Sequence, residues 1–183
     1  MKYRIKITQM ATLVLLLIAK PFSWKLFIAG LVIISLGEAI RLWASGYLKK
    51  DKELAVTGPY RIVRHPLYVG SFLIALGFTL ICINPAFPYR TGALIAVVFL
   101  GFKFVYSKQV QAEETHLDKL FGQDYQAYIK QVSPFFPNLK NLPKALKESS
   151  YSLAQAKKNK EFTTVMGIVV FAIVLAIKLY FKL

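Results

Sequence analysis

The chain has 183 residues, 56% of them hydrophobic, with a mean hydropathy of +0.47, and 24 Lys and Arg against 9 Asp and Glu leave a net charge of +15. An ordinary soluble domain is only ~45–50% apolar, so a basic, soluble nucleic-acid binder is a poor fit, whereas membrane spans with basic flanks account for both numbers. One cysteine, Cys82, and two histidines, His65 and His116, exclude an internal disulfide framework and argue against a four-cysteine zinc site or a His-rich metal centre.

Five apolar blocks follow one another at 5–19, 24–44, 67–83, 91–106 and 162–181. A helix needs ~20 apolar residues, with 17–25 tolerated, to cross the hydrocarbon core. The second and last blocks meet this outright, and the third and fourth do so with their flanking aromatic and snorkelling basic residues. The first block is marginal. Behind Lys2, Arg4 and Lys6 it resembles a secretory signal, but Ile18-Ala19-Lys20-Pro21-Phe22 offers no small-x-small cleavage site, so a retained span is expected. The expected architecture is all-α, a polytopic helical membrane protein of about five spans. With the N-terminus in the cytoplasm and the C-terminus outside, 19 of the 24 Lys and Arg fall on the inner side. Eight of the nine acidic residues join them, the exception being Glu38 in the second block. A short, basic chain of this kind suits a prokaryotic plasma membrane. Trp24, Trp43, Tyr47, Tyr89 and Tyr106 read as interfacial belt residues.

Two polar segments, 46–66 and 107–161, lie on the inner face. Pro66 suits the first turn of the third span, which sets Arg64 and His65 at a helix N-terminus where anions are favoured. Taken alone, these two read first as positive-inside flanks. Glu113 and Glu114 fall about two turns beyond the fourth span, on the side of Arg64 and His65; a solvated helix face is the plainer reading. Glu38 and Arg41 are spaced i, i+3 and are expected to pair, structurally or functionally. His116 reads as solvated. The helix after the fourth span is expected to stop at Gly122. The stretch 142–160 is basic with scattered apolar residues, and reads either as a surface lying on an anionic leaflet or as a solvated linker.

Together the motifs carry a family resemblance. Gly58-Pro59-Tyr60-Arg61-Ile62-Val63-Arg64-His65-Pro66-Leu67-Tyr68-Val69-Gly70 resembles the signature of isoprenylcysteine carboxyl methyltransferases and related phospholipid methyltransferases. Glu113-Glu114, Leu117, Phe121-Gly122, Tyr125, Tyr128 and Pro137 resemble the second block of that family at the expected distance. The resemblance covers about half the chain, and two blocks in order are more specific than either alone. It implies an integral-membrane methyltransferase that binds S-adenosylmethionine, with S-adenosylhomocysteine as product, in a cytoplasmic pocket. By motif position, Tyr60, His65, Pro66, Leu67, Tyr68 and Glu113 would hold the cofactor, as would Lys52, Glu53, Leu54 and Ala55. His65 and Arg64 would be the catalytic residues. Gln109 stands where carboxyl methyltransferases commonly carry a substrate-binding Arg, so the expected acceptor widens from a prenylcysteine carboxylate to a lipid hydroxyl, phenol, thiol or amine. No metal or nucleic acid is implied.

One membrane domain is expected over 1–183: an N-terminal hairpin at 1–48, a core at 49–137, a basic loop at 138–161 and a last span at 162–183. Two other readings compete. Sterol reductases, which use NADPH, resemble the family in the same Arg-His-Pro-x-Tyr region but need more spans. A non-catalytic membrane scaffold would bind no nucleotide-like cofactor.

Overall fold

The computed structural model describes residues 19–182, so the first expected span lies outside the described residues except for Ala19. Helix α1, Trp24–Tyr47, starts where the Ser23 hydroxyl accepts from the Lys25 amide at 3.2 Å. Its 24 residues rise ~36 Å, enough to cross the bilayer. Helix α2, Pro66–Ile81, begins with proline at its first position and has 16 residues, or ~24 Å.

Glycines set the α1–α2 contact. Gly30 faces Gly77 and Gly37 faces Gly70, and a Cβ built on any of the four would sit 2.5–2.6 Å from the carbonyl oxygen of its partner. In hydrocarbon, where apolar burial drives little association, backbones that approach this closely hold helices together by dispersion. The pairing fixes the register of Arg41 against Leu67 and Ser71 at the N-terminal end of α2.

Helix α3, Pro88–Gly101, runs through a wider π-type turn, Phe102–Tyr106, into α4, Ser107–Ile129. The helix was expected to stop at Gly122, and it does: at φ +47° and ψ −115° Gly122 is non-helical and kinks the chain, and a second helical stretch follows to Ile129. Two short helices follow, α5 (Leu142–Lys147) and α6 (Leu153–Lys158), and then α7, Glu161–Phe181. Three helical stretches among the described residues are long and apolar enough to cross a membrane: α1, the continuous α3–α4 rod, and α7. The third expected span is the shorter α2, whose length is limited by Pro66 at one end and the turn at Cys82 at the other.

The stretch 142–160 is a strap packed under the ends of α1 and α7, not a loose linker. Asn159 donates to the carbonyls of Ser45 (2.8 Å) and Leu48 (2.9 Å), and the Tyr151 ring covers Gly46, where a Cβ would come within 2.1 Å of it. Tyr47, expected at the membrane boundary, is buried beneath the strap and donates to the Glu148 carbonyl at 2.8 Å.

Candidate active site

Between α1 and α2 the chain makes a tight turn. Gly58, at φ +58°, lies against the Tyr47 ring, with no room for a side chain. The 3-10 turn Gly58–Arg61 then carries Tyr60 inward, and the Tyr128 hydroxyl fixes it by donating to the Tyr60 carbonyl at 2.7 Å. The next residues are clamped by the segment after α4. Arg64 N–H donates to the Ser133 carbonyl (2.9 Å), His65 N–H to the Pro134 carbonyl (3.2 Å), and Asn138 N–H to the Ile62 carbonyl (2.9 Å). The two motif blocks, far apart in sequence, are thus joined backbone to backbone.

Their side chains meet as well. The Tyr68 hydroxyl donates to Glu113 Oε2 at 2.7 Å, and Gln109 also interacts with that hydroxyl. Glu114 Oε1 lies 3.1 Å from His65 Nε2 and 3.0 Å from the Arg64 guanidinium. The His65 ring is 5% exposed, between Tyr68 and Phe135. The adjacent acids divide the work: Glu113 holds Tyr68, and Glu114 holds the Arg64–His65 pair.

These groups surround a cavity of about 520 Å³, a size within the ~300–1,000 Å³ of small-molecule sites. Glu53, Leu54, Ala55, Tyr60, Arg64, His65, Pro66, Leu67, Tyr68, Gln109 and Glu113 all line it. Lys52 is the exception. The turn in which its amide donates to the Lys49 carbonyl leaves it exposed, and Lys50 and Asp51 line the cavity in its place. Sequence reading also missed Arg41, Tyr128 and His116 as lining residues. His116, read as solvated, is half-exposed and reaches Asp51 at 2.9 Å across the cavity's edge.

The lining suits a zwitterionic nucleoside cofactor. Acids and bases line the same cavity as aromatic rings and aliphatic walls, and the buried Tyr60 hydroxyl has no hydrogen-bond partner within the protein. Burial, reinforced by the nearby Glu113 charge, raises the Tyr60 phenol above its ordinary range, so it stays protonated and able to donate.

A second cavity, about 800 Å³, lies among α2, α3 and α7 and is walled mainly by apolar side chains such as Ile74, Phe78, Leu94, Val98, Ile168 and Phe171. Arg41 lines both cavities. Beside it, Tyr68 of the first cavity stands edge-on to Tyr106 of the second, with ring centroids 5.1 Å apart. Tyr106, read as a belt residue, therefore belongs to this partition, where the π-type turn places it against Phe102.

Arg41 does not have Glu38 as its main partner. Glu38 Oε2 is 3.8 Å from Arg41 Nε, whereas Glu161 Oε1, on α7, is 2.8 Å from Nε and 2.7 Å from the terminal nitrogen. The guanidinium also donates to the Ser71 hydroxyl at 2.6 Å. A residue 120 positions away thus completes the partition, which no local spacing could reveal.

A family model described as phospholipid methyltransferase matches residues 21–124. The chain is 31% identical over 112 residues to the cobalt-zinc-cadmium resistance protein CzcN of Cupriavidus metallidurans, covering 60% of this chain and 48% of that one. It is 29% identical over 119 residues to the nickel-cobalt-cadmium resistance protein NccN of Alcaligenes xylosoxydans, with 64% and 52% covered. To the protein-S-isoprenylcysteine O-methyltransferase of Saccharomyces cerevisiae it is 30% identical over 135 residues, with 64% and 54% covered. The chain spans about half the length of these relatives. No solved structure matches. Among the described residues no group of three or more His, Cys, Asp and Glu could hold a metal ion.

Proposed function

The chain belongs to the phospholipid methyltransferase family, and from that membership we propose that it transfers a methyl group from S-adenosylmethionine to a lipophilic acceptor at the cytoplasmic side of the membrane. The observation that carries the reading is the pair of cavities meeting at one partition, a polar one at the inner end of α2 and an apolar one between the spans, with Arg41 common to both. The polar cavity takes the cofactor and the apolar cavity takes the acceptor, whose tail enters from the bilayer.

S-adenosylmethionine supplies an electrophilic methyl on a sulfonium, and its transfer is an in-line displacement that depends on positioning more than on covalent help from the protein. Glu53, Leu54, Ala55, Tyr60, Pro66, Leu67, Tyr68 and Glu113 form the binding wall. Glu114 and Arg64 fix the His65 ring in the wall of the cofactor cavity, and His65 takes the proton of a phenol or amine acceptor whose head group crosses the partition into that cavity. A carboxylate acceptor needs no base. Gln109 is neutral and leaves such a carboxylate uncompensated, and Arg41, where the cavities meet, is already paired with Glu161, which favours a hydroxyl, phenol, thiol or amine acceptor. The excess of basic residues beside the polar cavity orients it to the cytoplasm, with the N-terminus inside and the C-terminus outside, in a prokaryotic plasma membrane. Residues 49–137 form the catalytic core of one membrane domain.

The test is thermal stabilisation of the detergent-purified protein by S-adenosylhomocysteine, with NADPH alongside. A ligand at ~100 times its Kd stabilises a fold by ~2.7 kcal/mol. A melt raised by S-adenosylhomocysteine alone is expected. A melt raised only by NADPH assigns the cavity to a reductase, and a melt raised by neither removes the enzymatic reading.

A further inference from the structure

The strap at 142–160 has a face that methyl transfer does not use. It is pinned to the C-terminal end of α1 and runs directly into the start of α7. Ser152 N–H donates to the Gly46 carbonyl at 3.1 Å, Gln155 donates to the Leu48 carbonyl at 2.7 Å, and Lys160 directly precedes α7. Its exposed side chains include Lys144, Lys147, Lys157 and Lys158, together with Leu146 and Leu153, which are 66% and 58% exposed. The one acid between 138 and 160, Glu148, turns inward, where its carboxylate accepts from Gly58 N–H and from the Arg61 guanidinium at 2.6–2.7 Å. The exposed surface of the strap is therefore basic without a compensating acid, and two leucines are exposed together with the lysines.

We propose that this face docks on the anionic lipid headgroups of the adjacent leaflet. Leucines entering the headgroup boundary and lysines snorkelling to phosphates are what such a surface does beside a bilayer. A soluble acidic partner would be met by the lysines but would leave the leucines uncovered. The docked strap also has a route to the cofactor cavity. Through Glu148 it grips Gly58 and Arg61, the two ends of the turn that holds Tyr60. Docking requires no methyltransferase activity.

The full chain is reconstituted in nanodiscs of phosphatidylcholine alone or with phosphatidylglycerol, and amide exchange is followed over 139–160. Phosphatidylglycerol is expected to slow exchange across the strap, and high salt to abolish the slowing. Lys144→Gln/Lys147→Gln/Lys157→Gln/Lys158→Gln is expected to lose it, while exchanging like the unaltered chain in phosphatidylcholine. Equal exchange in the two lipid compositions overturns the proposal, as does a quadruple variant that keeps the slowing. Equal protection by soluble heparin in phosphatidylcholine discs also overturns it, assigning the face to a soluble polyanion.

Discussion

Glu161→Gln isolates the buried ion pair at the start of the last helix, which also packs through Leu175, Leu179 and Phe171 against α1 and α2. In the native fold the Glu161 carboxylate takes two guanidinium nitrogens of Arg41 at 2.7 and 2.8 Å, and the two side chains are only 5% and 17% exposed. Removing one partner of a buried ion pair costs about 3–5 kcal/mol, because the other charge is left desolvated. Here Arg41 keeps Ser71 at 2.6 Å and has Glu38 in reach at 3.8 Å, and the glutamine carbonyl can still accept one hydrogen bond. The expected loss is therefore smaller, about 2–3 kcal/mol. At ~2–4 °C per kcal/mol for a chain of this size, Tm falls by about 4–12 °C. Glu53→Gln is the comparison, since its partner Lys49 is half-exposed and the pair lies at 2.9 Å on the surface. An exposed pair of this kind contributes only about 0.3–0.5 kcal/mol. Scanning fluorimetry in one detergent measures both variants. The double variant Arg41→Gln/Glu161→Gln is expected to melt above Glu161→Gln, because it removes both charges together. A Glu161→Gln melt within the shift of Glu53→Gln would refute the reasoning.

Three further outcomes follow from the packing and the cavities. Gly37→Leu drives a side chain into the Gly70 carbonyl and the α2 backbone at Ile74, neither of which can yield, so it is expected to destabilise by at least about 1–3 kcal/mol, read as a lower Tm. Gly167 lines the apolar cavity and a Cβ there meets nothing within 4 Å, so Gly167→Leu adds bulk at that cavity's wall without a backbone clash. It is expected to keep both Tm and S-adenosylhomocysteine affinity while blocking methyl transfer to lipid, and loss of cofactor affinity would contradict the division of the two cavities. Glu113→Gln removes the charge that holds Tyr68 and is expected to weaken S-adenosylhomocysteine at least ~10-fold by calorimetry, the equivalent of ~1.4 kcal/mol.

Much of the site was legible because it is built from motifs that each act within a few residues. Pro66 is preorganised for the first turn of a helix, and Gly58 permits the turn that brings Tyr60 inward. Glu113 and Glu114 fall on the side of Arg64 and His65 by helical rise alone. The remainder was hidden by distance along the chain. Nothing local marks Glu161 as the partner of Arg41, and the i, i+3 spacing of Glu38 offered a plausible substitute that lies 3.8 Å away. Tyr47 and Tyr106 have the composition of belt residues, and only the strap and the π-type turn show them facing inward. The glycines of α1 and α2 lie seven apart on each helix, so their face could have been read, but the apolar count of each span conceals it. Gly122 was legible as a helix stop: its positive φ breaks the helix there, and what the sequence did not show is the second helical stretch beyond it, whose Tyr128 hydroxyl donates to the Tyr60 carbonyl.

The most direct measurement is transfer of a labelled methyl group from S-adenosylmethionine into the lipid extract of membranes carrying the chain, compared with membranes carrying His65→Ala or Gly167→Leu. The expected result is label in the organic phase for the native chain and background for both variants, with Gly167→Leu still binding S-adenosylhomocysteine. Native protein that is folded and stabilised by S-adenosylhomocysteine, yet leaves no label in the lipid, would contradict a lipophilic acceptor.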